Sequence, residues 1–307
     1  MRIRPFQFCT VTLITLIVLF SASAQTPKSA VSHYRDGASK VGKGDLDGAI
    51  EDYSRAIAIS SRFGPAANAD SETAKIKVLD PFTANAYINR GVARYRKGDF
   101  EGARLDFDEA IRIRPGLSIA YLNRASANRE LGDWTGALAD VDRAIKIDPK
   151  MVEAYNNRGA LRHDMGDVNG ALEDFNQAIR LNSKIAEPFY LRGYARIAVK
   201  DYSGAREDFD QALKISPEMA LGYQGRGTAW MFLGNLVNAI ADFGKAISLN
   251  PNIAWAYFNR SLALLVQGQE ALAQADFDRC IALKPELKSQ LEERSQIARE
   301  LRRNRLK

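Results

Sequence analysis

The stretch "LDFDEAIRIRP", residues 105–115, returns along the chain with its chemistry kept. It reads "ADVDRAIKIDP" at 139–149, "EDFNQAIRLNS" at 173–183, "EDFDQALKISP" at 207–217, "ADFGKAISLNP" at 241–251 and "ADFDRCIALKP" at 275–285. An earlier copy, "EDYSRAIAIS", occupies 51–60. The closing prolines, Pro115, Pro149, Pro217, Pro251 and Pro285, stand 34 residues apart or twice that, with Ser183 on the vacant beat. A fixed period of this length marks an array in which each unit buries its apolar face on its neighbours. The 307 residues are therefore read as repeats and not divided into globular domains.

Units numbered 1–34 begin at 30, 84, 118, 152, 186, 220 and 254. Position 8 is small (Gly91, Ala125, Gly159, Gly193, Gly227, Ser261), position 20 is always Ala, and position 24 is mostly aromatic, as in Phe107, Phe175 and Phe243. Small residues let two helices approach closely while the aromatic fills the space beside them. Gly at position 15 suits a helix C-terminus. Six units have it and Lys200 is the exception. Asp or Asn follows in six units, as in Asp99, Asp133 and Asn235, and suits the cap of a second helix. Pro at position 32 ends that helix.

This pattern resembles the tetratricopeptide repeat family, whose 34-residue helix–turn–helix unit has small residues at 8, 20 and 27 and Pro at 32. The resemblance covers 30–287 and implies an all-α fold, an α-solenoid in which the helix pairs form a right-handed superhelix with a concave groove. The expected organisation is a signal peptide over 1–24, a linker over 25–29, repeat 1 over 30–63 and an inserted loop over 64–83. Repeats 2–7 follow over 84–287, and 288–307 forms a capping helix with a basic tail. The stripe Leu287, Leu291, Ala298, Leu301 supports that cap.

The chain departs from the family at position 7, commonly Leu, where six units place Arg: Arg90, Arg124, Arg158, Arg192, Arg226 and Arg260. Position 23 is Asp throughout: Asp52, Asp106, Asp140, Asp174, Asp208, Asp242 and Asp276. Unit one has Asp36 at position 7, which would oppose Asp52 if partners lay within one unit. Pairing each Asp with the Arg of the next unit avoids that conflict. It predicts the ladder Asp52–Arg90, Asp106–Arg124, Asp140–Arg158, Asp174–Arg192, Asp208–Arg226, Asp242–Arg260 and Asp276–Arg294, with Arg294 in the cap.

Arg2 and Arg4, the apolar run "VTLITLIVLF" at 11–20 and Ala22-Ser23-Ala24 read as a cleavable export signal. The run is short for a membrane span. Membrane contact is therefore expected only through a partner or an uncleaved N-terminus, and the destination is a bacterial periplasm or further out. Seven Lys/Arg against three Glu fall in 288–307, so the formal charge of +6 reflects the two ends and not a nucleic-acid-binding face. Removal of the signal leaves Cys280 as the one thiol, so no internal disulfide is expected. His33 and His163 lie in different units, and no HExxH, paired Cys or nucleophile elbow appears. "KGDLDG" at 43–48 has Ser54 where a calcium loop needs Glu. No catalytic, metal or cofactor residue is nominated, and no cofactor is expected.

The resemblance implies that positions 2, 5, 6, 9, 12 and 13 of the first helices line the groove. Position 6 supplies Asn89, Asn123, Asn157 and Asn259, whose amides suit a peptide backbone. Tyr190, Leu191, Tyr194, Met231, Phe232 and Phe258 would form an apolar patch of the kind partners bury. The family's carboxylate clamp needs Lys at position 5, and no unit has it. The function read from these residues is a non-catalytic adaptor of the cell envelope that binds a protein or peptide, with no nucleic acid. The alternative is an accessory subunit of an envelope enzyme or of a secretion or assembly complex.

Overall fold

The computed structural model describes residues 28–62 and 81–305. The expected signal peptide and most of the stretch 64–83 lie outside those residues. Among the described residues all regular structure is helical. The helices are α1 (Lys28–Gly42), α2 (Leu46–Arg62), α3 (Pro81–Arg96), α4 (Phe100–Ile113), α5 (Ser118–Glu130), α6 (Trp134–Ile147), α7 (Val152–Asp164) and α8 (Val168–Leu181). They continue with α9 (Ala186–Ala198), α10 (Tyr202–Ile215), α11 (Ala220–Phe232), α12 (Leu236–Leu249), α13 (Ala254–Gln267), α14 (Glu270–Leu283) and α15 (Lys288–Arg305). None is long and apolar enough to cross a membrane. The chain divides into two compact units, one up to Leu161 and the other from Arg162, so the division falls inside α7. Within each unit the helices pair as antiparallel hairpins and the hairpins stack, which is α-solenoid architecture.

The turns follow the sequence closely. Asp99, Asp133, Asp167, Asp201 and Asn235 each accept a hydrogen bond from the backbone N–H three residues on, which starts the second helix. One boundary differs. Pro81–Thr83, read as the end of the insertion, forms the first turn of α3. Pro at the first helical position is preorganised for it, and Phe82 is fully buried against Tyr34 of repeat 1, 5.2 Å between ring centres.

The small positions have a clear physical reason. Phe209 sits between Gly193 of its own repeat and Gly225 of the next. A methyl added at Gly193 would meet its ring at 2.8 Å, and one at Gly225 at 2.4 Å. With glycine on both sides the ring cannot yield either way. Position 24 is also fully buried at Tyr53, Phe107, Val141 and Phe243.

The arginine ladder is the main correction. Arg90, Arg124, Arg192, Arg226 and Arg260 each clamp the Asp of their own repeat, not that of the preceding one. Arg90 holds Asp106, Arg124 holds Asp140, Arg192 holds Asp208, Arg226 holds Asp242 and Arg260 holds Asp276. In Arg192, Nε and Nη2 donate to the two Asp208 oxygens at 2.9 and 2.6 Å. The third donor reaches back one repeat, to position 25. Arg90 donates to Ser54, Arg124 to Asp108, Arg158 to Asp142, Arg192 to Asn176 and Arg226 to Asp210. Beneath each guanidinium lies the aromatic ring of position 4, from Tyr87 to Tyr257, at 5.3–5.9 Å.

Position 11 supplies a second cation in several repeats: Arg94 to Asp106, Arg162 to Asp174 and Arg196 to Asp208. It also resolves the conflict in repeat 1. Lys40 and His33 hold Asp52 at 2.7 and 3.0 Å, while Asp36 is exposed. At the other end Asp276 is taken by Arg260, and half-buried Arg294 has no carboxylate partner among the described residues. Burial pushes the Asp106, Asp140 and Asp208 carboxyls above their ordinary range, against the pull of the arginines. Loss of the arginine leaves only the position-11 side chain to offset that burial.

Two stability outcomes follow. Arg192→Ala removes the two-pronged partner of an Asp that is only 3% exposed, leaves it Arg196 alone, and should cost about 3 kcal/mol. Arg299→Ala breaks an exposed pair with Glu270 and should cost about 0–1 kcal/mol. Equal shifts in denaturation midpoint would contradict the buried ladder. The second concerns repeat 6, where position 25 is Gly244 and Arg260 has no acceptor from the preceding repeat among the described residues. A methyl at Gly244 would stand 3.4 Å from Arg260 Nη1, an ordinary contact. Gly244→Asp should therefore stabilise by about 1 kcal/mol. It should equal or exceed Gly244→Ala, although alanine is the better helix former, and a chemical denaturation series on the two variants decides this.

Candidate functional site

The stretch "AWMFLGNLV" at 229–237 carries more apolar residues than one helix face can bury. Four consecutive ones, Trp230 to Leu233, span most of a turn, so some must face water. Phe232, the last residue of α11, is 41% exposed, and Leu233 and Val237 are exposed beside it in sequence. Phe232 stacks flat on Tyr202 at the start of α10, with ring centres 4.6 Å apart and planes 11° from parallel. Val199, which ends α9, is exposed on the turn that leads into Tyr202. Trp230 is half-buried, with the Arg206 guanidinium 5.3 Å from its ring centre. It takes the place that Arg94, Arg162 and Arg196 hold in other repeats.

The backbone at this turn is also unusual. Lys200 adopts φ +65°, alone among the described non-glycine residues. The equivalent residues Gly98, Gly132, Gly166, Gly234 and Gly268 share that left-handed conformation without the steric cost. A strained side chain is thus kept between Val199 and Tyr202, next to the exposed ring. Strain of this kind is a pointer to function.

The other nominated groove residues are mostly not available. Asn89 is buried and donates to Tyr34 Oη at 2.8 Å. Burial pushes the Tyr34 hydroxyl up to about 12. Asn259 is buried and donates to Thr228 at 3.3 Å. Asn123 is fully buried, and neither amide atom has a partner among the described residues. Of the four, Asn157 alone is half-exposed. Tyr190, Leu191, Tyr194 and Phe258 are also buried. Tyr190 and Tyr194 pack edge-on against Phe209, and the Tyr194 hydroxyl donates to Gln224. The physical reason is packing within the stack: Asn89, Asn259 and Tyr194 bond the first helix of an adjacent repeat, and Tyr190 packs on the second helix of its own. Met231 is half-buried, and Phe232 remains open.

Val199, Lys200, Tyr202, Leu233 and Val237 were not nominated from sequence. The signals for them were the excess of apolar residues around Phe232 and a lysine where every other repeat has glycine. Among the described residues no group of three His, Cys, Asp or Glu side chains is placed to hold a metal.

Stacked helical hairpins of 34 residues, joined by a repeated charge clamp, define an α-solenoid repeat protein. Tetratricopeptide repeat profiles match at 84–117, 123–187, 157–220 and 243–275. The chain belongs to the tetratricopeptide repeat family. Comparison with the curated proteins finds no match. Among solved structures, a tetratricopeptide repeat protein from Parabacteroides merdae is 22% identical, with a TM-score of 0.65 over 88% of this chain and 100% of the other. The pilF protein of Pseudomonas aeruginosa is 16% identical, with a TM-score of 0.61 over 68% of this chain and 96% of that one. PilW, a type IV pilus biogenesis factor, is 18% identical, with a TM-score of 0.61 over 66% of this chain and 94% of that one. At these identities the likeness is one of fold. Proteins of this family serve as protein-interaction scaffolds.

If Lys200 is held under strain, Lys200→Gly should raise stability by about 1 kcal/mol. Thermal denaturation of the two chains side by side tests this, and an unchanged or lower midpoint would mean that the turn carries no strain.

Proposed function

We propose that this protein is a non-catalytic, exported adaptor that holds a protein or peptide partner against the turn patch of its second unit. The observation that carries the reading is exposed Phe232, stacked on Tyr202 and flanked in sequence by exposed Leu233 and Val237. An exposed aromatic backed by a rigid second ring costs little entropy to dock, and such residues anchor interfaces. Lys200 adds a cation beside the apolar surface, which suits a partner with an acidic group next to its apolar side chains. The export half of the reading rests on Arg2, Arg4, the run 11–20 and the small residues 22–24. It places the mature chain, beginning at Gln25, in the periplasm or outside the cell.

The test is affinity capture from an envelope extract with the wild-type chain and with Phe232→Asp. A partner retained by the first and lost by the second supports the patch. Retention of every partner by the variant would remove it. Sequencing the N-terminus of the exported chain checks cleavage before Gln25.

A further inference from the structure

The last repeat ends differently from the others. In the second unit α11 covers α10 and α13 covers α12, so each second helix is closed by the next first helix. The terminal helix α15 begins at the expected residue, but it packs chiefly on α13 and not on α14. Leu287 and Leu291 join Tyr257, Phe258 and Cys280, while Ala298 joins Leu264, Leu265 and Ala273. At its far end Arg302 lies over the Gly268 turn. Phe277 occupies position 24, fully buried at Phe209 and Phe243, yet here it is only half-buried.

A half-open cleft of about 310 Å3 is left between α13, α14 and α15. Leu265 and Phe277 give it an apolar floor, and the amides of Gln274 and Gln296 line it. Ser295 also lines it. That hydroxyl is buried and has no hydrogen-bond partner among the described residues, whereas Ser126 on α5 bonds its own helix at Leu122 O. At the mouth Arg299 is tied to Glu270 at 3.3 Å, while Glu292 is exposed with no cation on it among the described residues. The lining therefore offers an aromatic contact, amides that can both donate and accept, and one unanswered negative charge.

We infer that this cleft is a second binding site, which takes a partner's peptide segment carrying a bulky apolar side chain beside a Lys or Arg. The apolar side chain lies on Phe277 and Leu265, Gln274 and Gln296 hold the segment's backbone, and its cation meets Glu292. The site involves neither Phe232 nor Lys200, so it stands or falls independently of the turn patch.

The test is an NMR titration of the mature chain with acetyl-Ala-Phe-Ala-Lys-amide. Control peptides carry Glu in place of Lys, or Ala in place of Phe. Expected are shift changes confined to α13, α14 and α15, lost with the Ala-for-Phe peptide. Glu292→Lys should weaken binding of the Lys peptide roughly threefold to fivefold, the size of an exposed ion pair, and strengthen that of the Glu peptide. Gln296→Trp should fill the mouth and abolish binding. Both substituted residues are exposed, and unchanged helical circular dichroism verifies folding. Phe232→Asp should bind the peptide as wild type does. No shift changes, changes centred on another repeat, or equal binding by the Glu292 and Gln296 variants would overturn the assignment. A concentration-dependent dimer abolished by Gln296→Trp would place a second copy in the cleft instead and would also overturn it.

Discussion

The stack depends on what happens to a carboxylate taken out of water. Position 23 places an Asp at the inner seam of every hairpin, and an unpaired charge there is not sustainable. The arginine at position 7 answers it with two parallel hydrogen bonds. It then spends its remaining donor on the preceding repeat and lays its plane over an aromatic ring. One side chain thus fixes the angle within a hairpin and the register between hairpins. Arginine suits this task because its flat fork can satisfy separate acceptors at once, whereas lysine cannot clamp in that geometry. In repeat 1 Lys40 with His33 holds the Asp instead.

The repeat period, the small positions, the caps and the Asp and Arg columns were all legible in the sequence, because each recurs with the period. The register of the ladder was not. Two arrangements keep every Asp paired, and the like charges of Asp36 and Asp52 favoured the wrong one. The deciding residues were Lys40, which neutralises Asp52, and the column at position 25, where Ser54, Asp108, Asp142, Asn176 and Asp210 are all acceptors. A column that varies in identity but keeps one chemical role is harder to see than an invariant one.

The candidate site was legible only in part. Phe232 was found as an aromatic in an apolar stretch, and it is exposed. The asparagines and tyrosines nominated with it shared its logic, but stacking consumes them: Asn89 bonds Tyr34, and Tyr194 bonds Gln224. Sequence periodicity identifies which residues face a neighbour. It does not say whether that neighbour is solvent, a ligand or the next repeat. The local departures were better guides, since Lys200 breaks the glycine column that every other repeat keeps.

Gly244 has a consequence for how the molecule opens. Each junction that carries a position-25 acceptor is tied across by its arginine, while the one between repeats 6 and 7 lacks that tie among the described residues and keeps the Asn259–Thr228 hydrogen bond and apolar contact. In an array where neighbours contribute separately, thermal fluctuation concentrates at the least coupled step. Repeat 7 and α15 should therefore come away together, as one fraying segment whose amides exchange with solvent ahead of those of repeats 5 and 6.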